Sequence, residues 1–177
     1  EHADVDVLGT YSYSIDTNNQ LMGVLRKALV VDNIQIIIAH NCLTHPSVMA
    51  QTQWFKDNPY DEKAVRMEDF NLWLRTFDKY KIANLPQCLM FYREVGVPYL
   101  KKYLQSQKGE RNEYRKFRSQ LPNYYKLLVK NYMKCSVYIL ASAVGMRDYL
   151  VALRSKKIDD KIQETATKEL QQAIAFN

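Results

Sequence analysis

Glu68-Asp69-Phe70-Asn71-Leu72-Trp73-Leu74-Arg75-Thr76-Phe77 sets Phe70, Trp73, Leu74 and Phe77 at positions i, i+3, i+4 and i+7. That spacing is one apolar stripe of an α-helix, expected over 69–79, with two carboxylates at its start. The segments before and after the stripe do not share its period. Val5 to Tyr13 is rich in β-branched and aromatic residues and reads as a strand. Asn18-Asn19 mark a turn, and Val24 to Val31 is expected to pair back. Asp32 reads as the N-cap of a short helix carrying Ile34, Ile37 and Ile38. Leu43 to Met49 is expected to be extended before Pro46. Thr52 opens a helix through Trp54 and Phe55 that ends before Pro59. Leu85-Pro86 leads into a strand over Leu89 to Tyr92. Strands alternating with helices give an α/β layer architecture for residues 1–95. Residues 96–177 read as helices only, with Pro98 in a first turn, a break at Gly109 and a long helix from Pro122 to Leu153.

The 177 residues are 47% hydrophobic and 25% charged, a composition that excludes a disordered tail. Five glycines stand at 9, 23, 96, 109 and 145, too scattered for a phosphate-cradling loop. Cys42, Cys88 and Cys135 form no C-x-x-C pair, so a zinc site and a disulfide framework are both disfavoured. A reducing, cytoplasmic setting is expected. Charge is uneven. Residues 1–98 hold 9 basic and 12 acidic side chains, residues 99–134 hold 10 and 2, and residues 135–177 hold 6 and 5. The basic excess lies in one middle segment.

Few residues are placed for chemistry. A carboxylate at a helix N-terminus is favoured in its ionised form by the helix dipole and can take a proton from a hydroxyl held against it. Glu68 and Asp69 qualify; the plainer alternative is a helix start. His45, before Pro46 and Ser47, can orient a substrate, or be an ordinary hydrogen-bonded loop residue. His40 and His45 lack an acidic partner between them, which disfavours a two-histidine metal site. Trp54 suits sugar stacking or core packing, whereas Trp73 belongs to the apolar stripe.

Several runs occur in a fixed order: Leu43-Thr44-His45-Pro46-Ser47-Val48-Met49, Trp54-Phe55, Pro59-Tyr60-Asp61, Met67 to Arg75, Asn84-Leu85-Pro86-Gln87-Cys88-Leu89 and Phe91-Tyr92-Arg93. Their order and spacing resemble family 2 glycosyltransferases over residues 1–95. The resemblance implies the C-terminal half of a GT-A, Rossmann-like α/β domain, followed by a helical tail at 96–177. It implies a nucleotide-sugar donor and a glycan or lipid-linked acceptor. The reaction would be inverting, with Asp69 as base and Glu68 in support. Substrate contacts would come from His45, Ser47, Trp54 and Arg75. A divalent cation, magnesium or manganese, would be held by a D-x-D motif outside these residues, since Asp4-Val5-Asp6 matches it only in letters. The donor-binding half would precede Glu1, leaving the 177 residues inactive alone and prone to self-associate.

The tail allows a second function. Tyr99, Tyr103, Tyr114, Tyr124, Tyr125 and Tyr132 are interleaved with Lys101, Lys102, Arg111, Arg115, Lys116 and Arg118, before an uncharged run from Cys135 to Met146. At 12 residues that run is too short to span a bilayer. The plainer reading is a helical bundle with a solvated basic face; an anionic membrane surface, met peripherally through Arg111, Arg115, Lys116 and Arg118, is the alternative, and nucleic acid is not expected. A noncatalytic module binding a membrane or partner is therefore the second function class.

Overall fold

The computed structural model describes residues 4–93, 100–146 and 160–175. Along the chain run β1 (Val7–Ile15), β2 (Leu21–Leu25), α1 (Ile34–Ile38), a 3-10 turn at His45–Ser47, β3 (Met49–Ala50), α2 (Thr52–Asp57), α3 (Glu68–Thr76) and β4 (Ile82–Arg93). Three helices follow: α4 (Leu100–Lys116), α5 (Tyr124–Ala143) and α6 (Asp160–Ala175). The class is mixed α/β. Pro98, Glu94 to Tyr99 generally, and the stretch 147–159 lie outside the described residues.

β1 is the centre of a four-stranded mixed sheet. It pairs antiparallel with β2 and β3 and parallel with β4 along its whole length, from Val7↔Ile82 to Ile15↔Arg93. The β1–β2 turn is closed by Asp16, whose Oδ1 accepts from the Asn18 and Gln20 amides at 2.8 Å each. Asn19 takes φ 61°, which asparagine tolerates better than most residues. β2 stops at Leu25, short of the expected Val31; instead Val30 bridges Ala83 on the other side of β4. β4 runs straight through Pro86. Thr10 pairs with Leu85 but Tyr11 with Cys88, so Pro86 and Gln87 bulge out where no ladder amide is needed.

α3 has the predicted inward face. Phe70, Leu72, Trp73 and Leu74 are all buried, Phe77 is half-buried just past its end, and they pack with Val7, Ile37, Leu43, Trp54 and Ile82. Tyr114 of α4 and Leu121 join the same cluster. The short helix α1 is capped by Asn33, not Asp32: Asn33 Oδ1 accepts from the Gln35 and Ile36 amides. Before Pro46, Thr44 is extended as expected, but His45 already belongs to the 3-10 turn, with Pro46 in its first turn.

Gly109 does not break α4. A Cβ there would lie 2.9 Å from Met67 Cγ and 3.0 Å from the Val65 carbonyl oxygen, so glycine lets α4 press onto the loop before α3. α5 begins at Tyr124 rather than Pro122 and ends at Ala143, with Gly145 at φ 73°.

α4 also turns acids inward. Glu110 and Glu113, the two acidic residues of the basic segment, are 2% and 1% exposed. Glu113 accepts from Asn71 Nδ2 at 2.6 Å and pairs with Lys116, which also reaches Asp61. Glu110 meets His40 at 3.1 Å, the Tyr114 hydroxyl at 2.6 Å and Asn131 Nδ2 at 2.7 Å, tying α4 to the α1 end and to α5. Burial alone would raise the Glu110 pKa, but the hydrogen bonds from His40 and Tyr114 outweigh it and hold the carboxyl at about 2, against an ordinary 4.5. A folded-state value below the unfolded one stabilises fully above pH 4.5 and is lost as pH falls towards 2. Glu110→Gln should therefore flatten the acid limb of stability measured by urea midpoint. Equal slopes between pH 5 and pH 2, roughly the window linkage assigns to such a carboxyl, would refute this.

Candidate functional site

The N-terminus of α3 is built by the loop before it. Arg66, at φ 64°, donates from Nε to Ser106 Oγ of α4 at 2.6 Å, which anchors the loop. Glu68 Oε1 accepts from the Arg66 amide at 2.8 Å and so fixes the entry turn. Asp69 Oδ1 accepts from the Phe70 amide at 2.7 Å. Its second oxygen has no protein partner among the described residues. Asp69 is thus a half-exposed carboxylate in the first turn of a helix, with one oxygen fixed and one open to an incoming hydroxyl.

Tyr60 and Cys42 lie within electrostatic reach of Asp69. Burial, then the Asp69 charge, raises the Tyr60 pKa. Burial pushes the Cys42 thiol up to about 12; Lys27 opposes the shift and Asp69 adds to it. At that value Cys42 is a packed thiol, not a nucleophile. The Tyr60 hydroxyl is 3.0 Å from His45 Nε2, and the two rings meet edge to face at 5.8 Å. His45 also lies against Trp73, 6.1 Å between centroids, and its Nδ1 is buried without a protein partner. Tyr60 and His45 thus form a polar pair, and Asp69 acts on Tyr60 through its charge.

The other candidates lie elsewhere. Ser47 serves β1: its Oγ accepts from the Thr10 amide at 3.0 Å and donates to the Thr44 carbonyl at 2.7 Å. Trp54 is buried, with Phe55, Trp73 and Tyr80 around its ring, so no face is offered to a sugar. Arg75 donates from Nε to Asn71 Oδ1 at 2.9 Å and from a terminal nitrogen to the Pro59 carbonyl at 2.6 Å. It holds the loop that carries Tyr60. Arg75 also borders a hollow of about 200 Å³ with Asn58, Asp78 and Phe117, which includes neither Asp69 nor Tyr60.

Tyr60 was missed as a site residue by the sequence reading. The one signal was its place in the run Pro59-Tyr60-Asp61; nothing in periodicity marks a loop tyrosine. Asn84, from another of the quoted runs, is structural. Its Nδ2 donates to the carbonyls of Ala28 and Cys42 at 2.7 Å each, stapling two loops to β4.

Among the described residues, no three or more histidine, cysteine, aspartate or glutamate side chains gather to hold a metal ion. Asp4 and Asp6 both turn to Lys81: Asp6 Oδ2 accepts from its amide at 2.8 Å and Asp4 Oδ2 lies 3.2 Å from its Nζ. Asp4 and Asp6 are thus engaged with Lys81.

No family model matches the chain, and no solved structure does. Over 104 residues the chain is 28% identical to an uncharacterized glycosyltransferase of Methanocaldococcus jannaschii. The aligned stretch is 57% of this chain and 35% of that protein, so the chain corresponds to about a third of its relative's length.

Proposed function

We propose that this chain is the acceptor-side part of a family 2 type glycosyltransferase with a GT-A domain. It would transfer a sugar from a nucleotide-sugar to a hydroxyl of a glycan or lipid-linked acceptor. The observation that carries the proposal is the Asp69 carboxylate, fixed through Oδ1 and available through Oδ2 in the first turn of α3. The similarity to a protein named as a glycosyltransferase supports the class.

In this reading the acceptor hydroxyl gives its proton to Asp69 Oδ2 as its oxygen attacks the anomeric carbon. The bond to the nucleoside diphosphate breaks on the opposite face, and the configuration inverts. Glu68 keeps the turn that aims Asp69, and the Tyr60–His45 pair borders the acceptor. Arg75 acts at one remove, through the Pro59 carbonyl. A divalent cation, held by a motif outside these residues, would offset the charge of the departing diphosphate.

The test is diphosphate release by the full-length protein, measured over a panel of nucleotide-sugars with magnesium or manganese present. Release from at least one donor, increased by an acceptor, is expected. A folded protein that bound and turned over none of them would overturn the assignment.

A further inference from the structure

The basic segment is not used as its sequence suggests. Lys116 is spent on Asp61 and Glu113, Arg111 bonds Asn131 and stacks over Tyr132 at 4.5 Å, and Arg118 bonds the Tyr125 hydroxyl at 3.0 Å. Arg115 bonds Asn112 on its own helix. Arg111 and Arg118 are the two of these that brace α5. Asn131, Cys135, Tyr138 and Ala141 form its buried face. Opposite them, Tyr125, Val129, Met133, Val137, Leu140 and Val144 are each 53–67% exposed. At about 1.5 Å per residue this apolar stripe is roughly 28 Å long. Such a contiguous patch is unusual on a free surface.

Lys126, Lys130 and Lys134 stand at i, i+4 and i+8 along one margin of the stripe, all exposed. α5 contains no acidic residue, and the two acids of residues 99–134 are buried, Glu110 against Asn131 of α5 and Glu113 against Asn71 of α3. The exposed face of α5 is thus apolar and cationic and carries no acidic side chain of its own. Two copies meeting on this stripe would bring like charges together, which disfavours a homodimer. No helix among the described residues is long and apolar enough to cross a membrane. A helix with this pattern lies in the headgroup plane, its apolar side at the acyl boundary and its lysines among phosphates.

We infer that the outer face of α5 docks the protein onto an anionic lipid surface. The inference is independent of sugar transfer, because vesicle binding needs neither donor nor acceptor.

The experiment is flotation of the full chain with vesicles of phosphatidylcholine alone or mixed with phosphatidylserine. Binding to the mixed vesicles, reduced by salt, is expected. Lys126→Gln with Lys130→Gln should weaken it roughly thirtyfold, and Val129→Ser with Leu140→Ser at least tenfold, about the value of the charges and apolar area removed. Lys134 is left intact because its charge also acts on Glu110. All four positions are exposed, so the urea midpoint should not move. Equal binding to neutral vesicles, binding indifferent to both double variants, or no binding would overturn the inference. So would self-association of the lipid-free protein that Val129→Ser with Leu140→Ser abolishes.

Discussion

Asp69→Asn should lower sugar transfer by the full-length protein about 10²–10⁴-fold, equivalent to about 3–5 kcal/mol of transition-state stabilisation. Asparagine has the same shape, and its Oδ1 can still accept from the Phe70 amide, so the helix start survives. What is lost is the oxygen able to take a proton. The urea midpoint should move by little, since the carboxylate is half-exposed and makes one bond. Turnover retained at the wild-type level would remove Asp69 from the role of base. Tyr60→Phe tests the proposed base apart from the tyrosine hydroxyl. It deletes the contact to His45 Nε2 and leaves Asp69 in place, so its effect should be far smaller.

Trp73→Ala should be the most damaging single change to the fold. Trp73 is 3% exposed, stacks on Trp54 with 6.4 Å between centroids, and supports the His45 ring. Truncating a buried tryptophan costs about 3–5 kcal/mol in lost transfer energy and cavity formation. Domains of this kind hold about 5–15 kcal/mol in all, so the variant would sit near the edge of stability. Trp73→Phe, which keeps an aromatic ring in the gap, should recover much of the loss. A Trp73→Ala protein with an unaltered urea midpoint would contradict the packing described above.

The elements with a strong period were legible. α3 announced itself by Phe70, Trp73, Leu74 and Phe77, β1 by its β-branched and aromatic residues, and α2 by Thr52 and Pro59 at its limits. Errors arose where tertiary contact overrode local preference. Gly109 stays helical because α4 needs a close approach to Met67, which no pattern within 100–116 reveals. Asn33 rather than Asp32 caps α1, one residue beyond the sequence reading. The inward turn of Glu110 and Glu113 was invisible because their partners, His40 and Asn71, lie 70 and 42 residues away. Tyr60 was hidden for another reason: it sits in an aperiodic loop, held there by the bond from Arg75 to the Pro59 carbonyl.

The parallel pairing of β1 with β4 has a consequence for how the molecule comes into being. Asp6 and Lys81, which close the beginning of that ladder, are 75 residues apart in the chain. A nascent chain halted before Ile82 holds β1 with only β2 and β3 to cover it, and its other edge waits for a strand not yet made. Loop closure over that span comes before the ladder can repay it, which places the sheet late in folding and on the slow side for a domain of this size. During that interval the unpaired edge of β1 is the segment most open to capture by another chain. Production of the protein should therefore respond to conditions that slow synthesis or supply a holding chaperone more than to those that strengthen the finished core.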